Sequence, residues 1–163
     1  MYIRPIHPED TTSLIQLIAE FRVSLAELRG KARELDLAAS QEELAEYQHK
    51  GFPIYVAEGE QGELMGYLVC RMDGDVVWAE SLYVRPADRR QGVGSALYAQ
   101  AEQLAHDLSG GTPYNWIDPD NDKIICFLMK RGYNVLNLIE LRRPDAGEQP
   151  SKNVQVGDYE FKR

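Results

Sequence analysis

At 163 residues and 18.5 kDa the chain has the length of one domain, enough to bury a core without disulfide staples. Its 44% apolar and 27% charged residues are ordinary globular values, and no apolar run approaches the roughly 20 residues of a membrane span. A net charge of −8, from 18 basic and 26 acidic side chains, disfavours nucleic acid and anionic membranes as partners.

The first ten residues carry Arg4, His7, Glu9 and Asp10 and lack the apolar stretch of a leader. Cys70 and Cys126 are too few for a disulfide framework, so a cytoplasmic protein is expected. Residues 2–6 read as a short strand stopped by Pro8. Over residues 11–28, Leu14, Leu17, Ile18, Phe21, Leu25 and Leu28 form one face of a helix, which Gly30 ends. Residues 40–50 read as a second helix, with Ser40 and Glu43 spaced as a capping box. The period then changes. Residues 54–58, 64–72 and 76–84 are strand-like and joined by short Gly-bearing turns, an antiparallel meander. A helix follows from Gly94, with Leu97, Ala101, Leu104, Ala105 and Leu108 on one face and Gly110-Gly111 after it. Residues 114–117 read as a strand, 121–130 as a helix and 133–142 as a strand. After Pro144, Gly147 and Pro150, residues 154–161 alternate like one more strand. The expected class is α/β (α+β): a mixed, mostly antiparallel sheet of about six or seven strands with about four helices on its faces.

Charge is unevenly distributed. Residues 1–128 hold 11 basic and 21 acidic side chains, yet one basic knot, Arg85, Arg89 and Arg90, lies within them. It sits where a strand ends and a helix opens on Gly92 and Gly94. The first N–H groups of a helix have no internal partner, and the macrodipole makes that end positive. Glycines let backbone close around phosphate oxygens, so this segment reads as an anion site for a diphosphate or larger group. It is not a Walker loop, because the lysine of that motif is missing, and the strand before it belongs to a meander rather than a dinucleotide-binding βαβ unit.

The run Arg89-Arg90-Gln91-Gly92-Val93-Gly94 resembles the pyrophosphate loop of the GNAT N-acetyltransferases. Residues 121–133, Asn-led and ending in Lys130-Arg131-Gly132-Tyr133, resemble that family's second signature, and the opening Tyr2-Ile3-Arg4-Pro5-Ile6 resembles its usual start. The resemblance spans residues 2–143 and implies a GNAT domain over 1–143, with 144–163 as a C-terminal extension. It implies acetyl-CoA as co-substrate and no metal. The backbone of Leu82, Tyr83 and Val84 would pair with the pantetheine arm. Arg89, Arg90, Gln91, Gly92, Val93, Gly94 and Ser95 would hold the pyrophosphate, and Asn121 would contact the cofactor arm. Arg85 reads either as a 3′-phosphate ligand or as a solvated arginine.

Acetyl transfer to an amine needs a base, and Glu80 is the candidate: a carboxylate within an otherwise apolar strand, where burial would fit it to accept an ammonium proton; the alternative is an edge glutamate on a water-filled cleft or one paired with an arginine. The family's usual tyrosine after the signature's aromatic, here Phe127, is replaced by Leu128. A leucine donates no proton, but a thiol of pKa about 8.5 leaves adequately as thiolate. Tyr83, Tyr114 and Tyr133 are the nearest hydroxyls in sequence, and no acid is assigned. Trp78 and Trp116 read as core, with a wall of the acceptor pocket as the alternative. The resemblance would set Glu20, Glu27, Glu34 and Asp36 along the acceptor side, though solvated helix faces explain them better. The implied activity is transfer of acetyl from acetyl-CoA to a primary amine of a small molecule or a peptide. The Leu128 departure keeps a non-catalytic acyl-CoA-binding regulatory module as the alternative. The alternating tail points to a homodimer.

Overall fold

The strand Leu64–Asp73 sends Leu64, Tyr67 and Val69 to one face of a sheet and Leu68 and Cys70 to the other, and both sets are buried. A strand flanked by apolar neighbours on both faces must be covered on both, which fixes the layers. In the computed structural model, which describes residues 1–163, the chain forms two compact units, Met1–Ile125 and Cys126–Arg163. The first holds β1 (Tyr2–Pro5), β2 (Ile54–Glu58), β3 (Leu64–Asp73) and β4 (Val76–Val84), all antiparallel in the order β1-β2-β3-β4. Helices α1 (Thr11–Leu28) and α2 (Leu37–His49) cover one face through Leu14, Leu17, Ile18 and Leu44. Helix α3 (Val93–Ser109) covers the other through Val93, Leu97, Ala101 and Ala105. Helix α4 (Asp122–Lys130) runs across the boundary of the two units. No helix is long and apolar enough to cross a membrane.

The mixed α/β class and the four helices agree with the sequence, whereas the sheet is smaller than expected. Residues 114–117 contribute one bridge, Tyr114 beside Trp78, rather than a strand. In the second unit, α4 closes at a left-handed Gly132, and Tyr133 N donates to Leu128 O at 3.1 Å. Residues 133–142 form no strand, and Val135, Leu136, Leu138, Ile139 and Leu141 are exposed. The tail is not one strand but a hairpin, β5 (Asn153–Val156) and β6 (Tyr159–Lys162), turned at Gly157-Asp158. Two residues between paired strands, the first a glycine at φ 59°, make a tight turn. Helix α2 also starts earlier than expected, because the Asp36 carboxylate accepts from Ala39 N at 2.9 Å and caps it ahead of Ser40.

The start of the chain is pinned by charge. Arg4 on β1 donates to both Asp10 oxygens (2.6 and 2.9 Å) and to Glu58 of β2 (2.5 Å), and His7 N also donates to Asp10 at 2.8 Å. The Asp10 side chain is only 8% exposed. The Arg4 guanidinium holds its carboxyl below the usual range, with the His7 N–H adding to this against the opposing effect of burial. Removing one partner of a buried pair strands the other, so Asp10→Ala is expected to cost about 3 kcal/mol in chemical denaturation. Because the folded pKa is depressed, this contribution is complete above the unfolded value of about 3.9. It is lost as pH falls through the lower folded value. Asp10→Asn should therefore flatten the acid limb of the stability profile, and an unchanged limb would show that Asp10 carries none of it.

Candidate functional site

The pairing of β3 with β4 changes register once. Val69 faces Ser81 and Cys70 faces Ala79, so Glu80 is an extra residue on β4. Such a bulge places two consecutive side chains on one side and inverts the alternation beyond it. Val77 and Ala79 face α3 before it, and Leu82 and Val84 face α3 after it; Ser81 and Tyr83 turn to the face of α1, where the Tyr67 hydroxyl bonds to Ser81 Oγ at 2.8 Å. The bulge also divides the outer edge of β4. Up to Ala79 that edge is occupied, with Tyr114 N donating to Val77 O (2.8 Å) and Ala79 N to Tyr114 O (2.9 Å). Beyond it no strand pairs with β4 on that side. Arg85 N donates inward to Met65 O at 2.9 Å, so alternation turns the N–H and C=O groups of Leu82 and Val84 toward the open edge. Gly66 permits the close crossing opposite: a Cβ there would lie 2.4 Å from Tyr83 O.

The loop after β4 makes one 3₁₀ turn, Pro86–Asp88, and then two left-handed residues, Arg90 (φ 65°) and Gly92 (φ 85°), bracket Gln91. Left-handed residues among right-handed ones aim successive N–H groups into a concavity that suits anions. The first helical bond of α3 runs from Ala96 N to Gly92 O at 2.9 Å, so the N–H groups of Val93, Gly94 and Ser95 precede it. Gln91 Nε2 donates to Ala87 O (3.0 Å), and Arg89 Nε donates to Val84 O (2.8 Å) while its guanidinium lies 5.6 Å from the Tyr83 ring centre. Arg85 leaves the loop for α1, its Nε 3.4 Å from Glu20 Oε2, which also lies 3.5 Å from the Tyr83 hydroxyl. Burial raises the Tyr83 pKa, and Glu20 raises it further. Open backbone, a helix N-terminus and two arginines, Arg89 and Arg90, give this loop the features of a polyphosphate cradle.

On the α1–α2 face lies a cleft of about 410 Å³, lined by Arg22, Glu42, Glu43, Tyr47, Arg71 and Glu80 among others. Arg22 holds Glu43 with two bonds (2.8 and 2.5 Å), and Glu43 also accepts from the Tyr47 hydroxyl at 2.5 Å. Burial and the bond to Glu43 raise the Tyr47 pKa, so it stays a hydroxyl donor. Lys50 pairs with Glu46 at 2.5 Å. Glu80 faces this cleft because it alternates with Val77 and Ala79, which face α3. It is not buried: its side chain is 35% exposed and lies 3.1 Å from Arg71 Nε, as in the alternative of a cleft glutamate paired with an arginine. The Arg71 guanidinium stacks 4.7 Å over Trp78, which packs on Tyr114 at 5.3 Å.

The expected site residues thus fall into two groups on one strand and its following loop. Leu82, Tyr83, Val84, Arg89, Arg90, Gln91, Gly92, Val93, Gly94 and Ser95 adjoin the open edge and the loop, and Glu80 faces the cleft. Asn121 caps α4, its Oδ1 accepting from Ile124 N at 3.3 Å. Trp116 is 69% exposed and in no strand, so it is not core. The carboxylates of the cleft are Glu42, Glu43, Glu46 and Glu80; Glu27 and Glu34 are exposed and solvated, and Asp36 is a helix cap. Arg71 escaped sequence reading, although it was recoverable: Asp73 and Val76 flank a two-residue turn, which sets Arg71 opposite Trp78.

Residues 17–133 match the model of the acetyltransferase (GNAT) family. Known folds agree. An acetyltransferase of GNAT family from Staphylococcus aureus Mu50 superposes with TM-score 0.64 at 14% identity, covering 97% of this chain and 88% of its own. The apo aminoglycoside 6′-N-acetyltransferase of Acinetobacter haemolyticus gives 0.60 at 20% identity, covering 91% and 100%. A related structure, AAC(6′)-Iy in complex with a bisubstrate analog of CoA and acetylneamine, gives 0.61 at 16% identity, covering 89% and 98%. At these identities the likeness concerns the fold alone. No curated protein matches the chain in sequence.

The two loop glycines should respond to alanine with opposite sign. Nothing lies within 4 Å of a Cβ on Gly92, but its φ of 85° penalises any L side chain. Gly92→Ala is expected to cost about 1–2 kcal/mol in chemical denaturation. In Gly94→Ala the Cβ meets Val84 Cγ2 at an ordinary 3.7 Å. That change should be neutral or stabilising by up to about 1 kcal/mol, because alanine favours the helix. Equal effects would contradict this account of the loop.

Proposed function

This chain belongs to the acetyltransferase (GNAT) family, and we propose that it is an N-acetyltransferase moving acetyl from acetyl-CoA to the primary amine of a small molecule. The observation that carries this reading is the juxtaposition along β4: an anion cradle at its C-terminal end, an open edge at Leu82 and Val84, and a carboxylate-bearing cleft at Glu80. In the proposed complex the N–H groups of Gly92, Val93, Gly94 and Ser95 hold the pyrophosphate, with Arg89, Arg90 and Gln91 around them. The outward N–H and C=O of Leu82 and the outward N–H of Val84, with Tyr83 between them, receive the pantetheine arm as a strand would be received. Asn121, whose amide nitrogen is not needed for capping, contacts that arm. Bound acetyl-CoA supplies an activated thioester carbonyl. Glu80 takes the ammonium proton of the acceptor, directly or through water, and an outward β4 N–H stabilises the developing oxyanion. Leu128 offers no proton, so the thiol departs as thiolate. The acetyltransferase domain is read as residues 1–143, with 144–163 as its extension. Two free cysteines and the absence of a spanning helix suit a cytoplasmic location.

Isothermal titration should detect acetyl-CoA binding. Gly92→Val should weaken it at least about 10-fold, the loss of one charge-assisted hydrogen bond, with the melt still cooperative. Thiol release against an amine panel tests transfer, and binding without turnover of any amine would favour the non-catalytic module. Glu80→Gln should lower kcat about 10²- to 10⁴-fold and alter the acidic limb of its pH profile. An unaltered profile removes Glu80 as base.

A homodimer completes the proposal, supported by the exposed Val135, Leu136, Leu138, Ile139 and Leu141, an apolar stretch that invites burial. Light scattering of the full chain should give twice its 18.5 kDa, and a monomer mass would refute the pairing.

A further inference from the structure

The cleft beside Glu80 holds both signs of charge, and its cations are not equivalent. Arg22 is spent on Glu43 with bonds of 2.8 and 2.5 Å, and Lys50 on Glu46 at 2.5 Å. Arg71 is different. Glu80 Oε2 lies 3.1 Å from its Nε, yet no hydrogen bond forms, so the oxygen stands off the N–H direction, and Nε itself is shut off from solvent. No other protein acceptor bonds to the guanidinium. Trp78 lies against it at 4.7 Å, and Tyr114 at 5.3 Å from Trp78 keeps that ring in place. A guanidinium fixed by an aromatic face, with one poorly aligned carboxylate beside Nε, keeps its terminal N–H groups as a preorganised fork for a planar anion.

Resting on the acetyl-transfer reading above, we infer that Arg71 is a carboxylate clamp and that the acceptor is an α-amino acid. Its carboxylate lies on Arg71 and its amino group beside Glu80. The two protein groups are neighbours, which matches an amine and a carboxylate borne on one carbon. Polycationic amines fit worse, because they would face the Arg71 charge and leave its donors unmatched. Arg71 determines specificity here, and the proton transfer stays with Glu80.

The test uses the full chain with CoA or acetyl-CoA. Saturation-transfer NMR with a mixture of the standard amino acids, and with the mixture of their carboxamides, should show stronger transfer to the amino acids. Arg71→Met, which keeps the stem over Trp78, should abolish that preference. In thiol-release assays the ratio of kcat/KM for an amino acid to that for its amide should fall about 10- to 100-fold in the variant. The fall should come through KM, and Arg71→Lys should restore part of it. Preference for amides or for polycations such as spermidine, or a ratio indifferent to Arg71, would overturn the clamp while leaving the transferase reading intact. Amino acids that bind in an Arg71-dependent way without turnover would uphold the clamp and overturn the transferase reading.

Discussion

The site depends on one extra residue in a strand. With strict alternation, Val77, Ala79, Ser81 and Tyr83 would share a face, and the Tyr83 ring would compete with α3 for space. Glu80, inserted opposite Val69 and Cys70, reverses the order, so Tyr83 joins Phe21 and Tyr67 under α1 while Leu82 and Val84 pack toward α3. The Tyr114 bridge ends at Ala79, where the insertion begins, and no strand pairs with the outer edge of β4 beyond it. Core packing on both faces therefore follows from a single local irregularity.

The basic loop illustrates how an acidic chain presents a positive site. Its arginines are anchored on protein acceptors: Arg89 on the Val84 carbonyl and Arg85 on Glu20. A partly exposed ion pair such as Arg85–Glu20 adds only about 1 kcal/mol or less to stability. The effect of these anchors is orientation, because a tethered guanidinium loses less freedom when a ligand arrives than a solvated one. The N–H groups of α3 add partial positive charge that no change of pH removes. A net charge of −8 over the whole chain keeps it from binding anions indiscriminately.

What was legible in the sequence followed from periodicity and turn chemistry. The apolar stripe of α1 and the Gly-bearing turns of the meander are local signals, and the structure keeps them. The start of α2 depended on which of two capping residues wins. Asp36 does, and Ser40 instead bonds its hydroxyl back to the Asp36 carbonyl at 2.7 Å. The hairpin at Gly157-Asp158 had its turn signal in plain view inside an alternating run. The bulge had none, since an inserted residue shows itself only against its partner strand. Residues 133–142 have strand composition but no ladder, because β propensity describes fitness for a half-buried pleated surface and does not create one.

The cleft could not be read from charge counts, because what matters there is which charges remain unsatisfied. Counted alone, Glu42, Glu43, Glu46 and Glu80 make an acidic pocket suited to any cation. Subtracting the internal pairs changes its character. Glu43 is held by Arg22 and Tyr47, and Glu46 by Lys50, so neither has its full charge to offer a ligand. The groups with capacity left are Glu42, Glu80 and the guanidinium of Arg71, carboxylate and cation within one small space. Such a surface discriminates by the relative placement of opposite charges on a ligand rather than by its net charge. The paired residues frame the cleft around these three, in which Glu80 and Arg71 lie 3.1 Å apart.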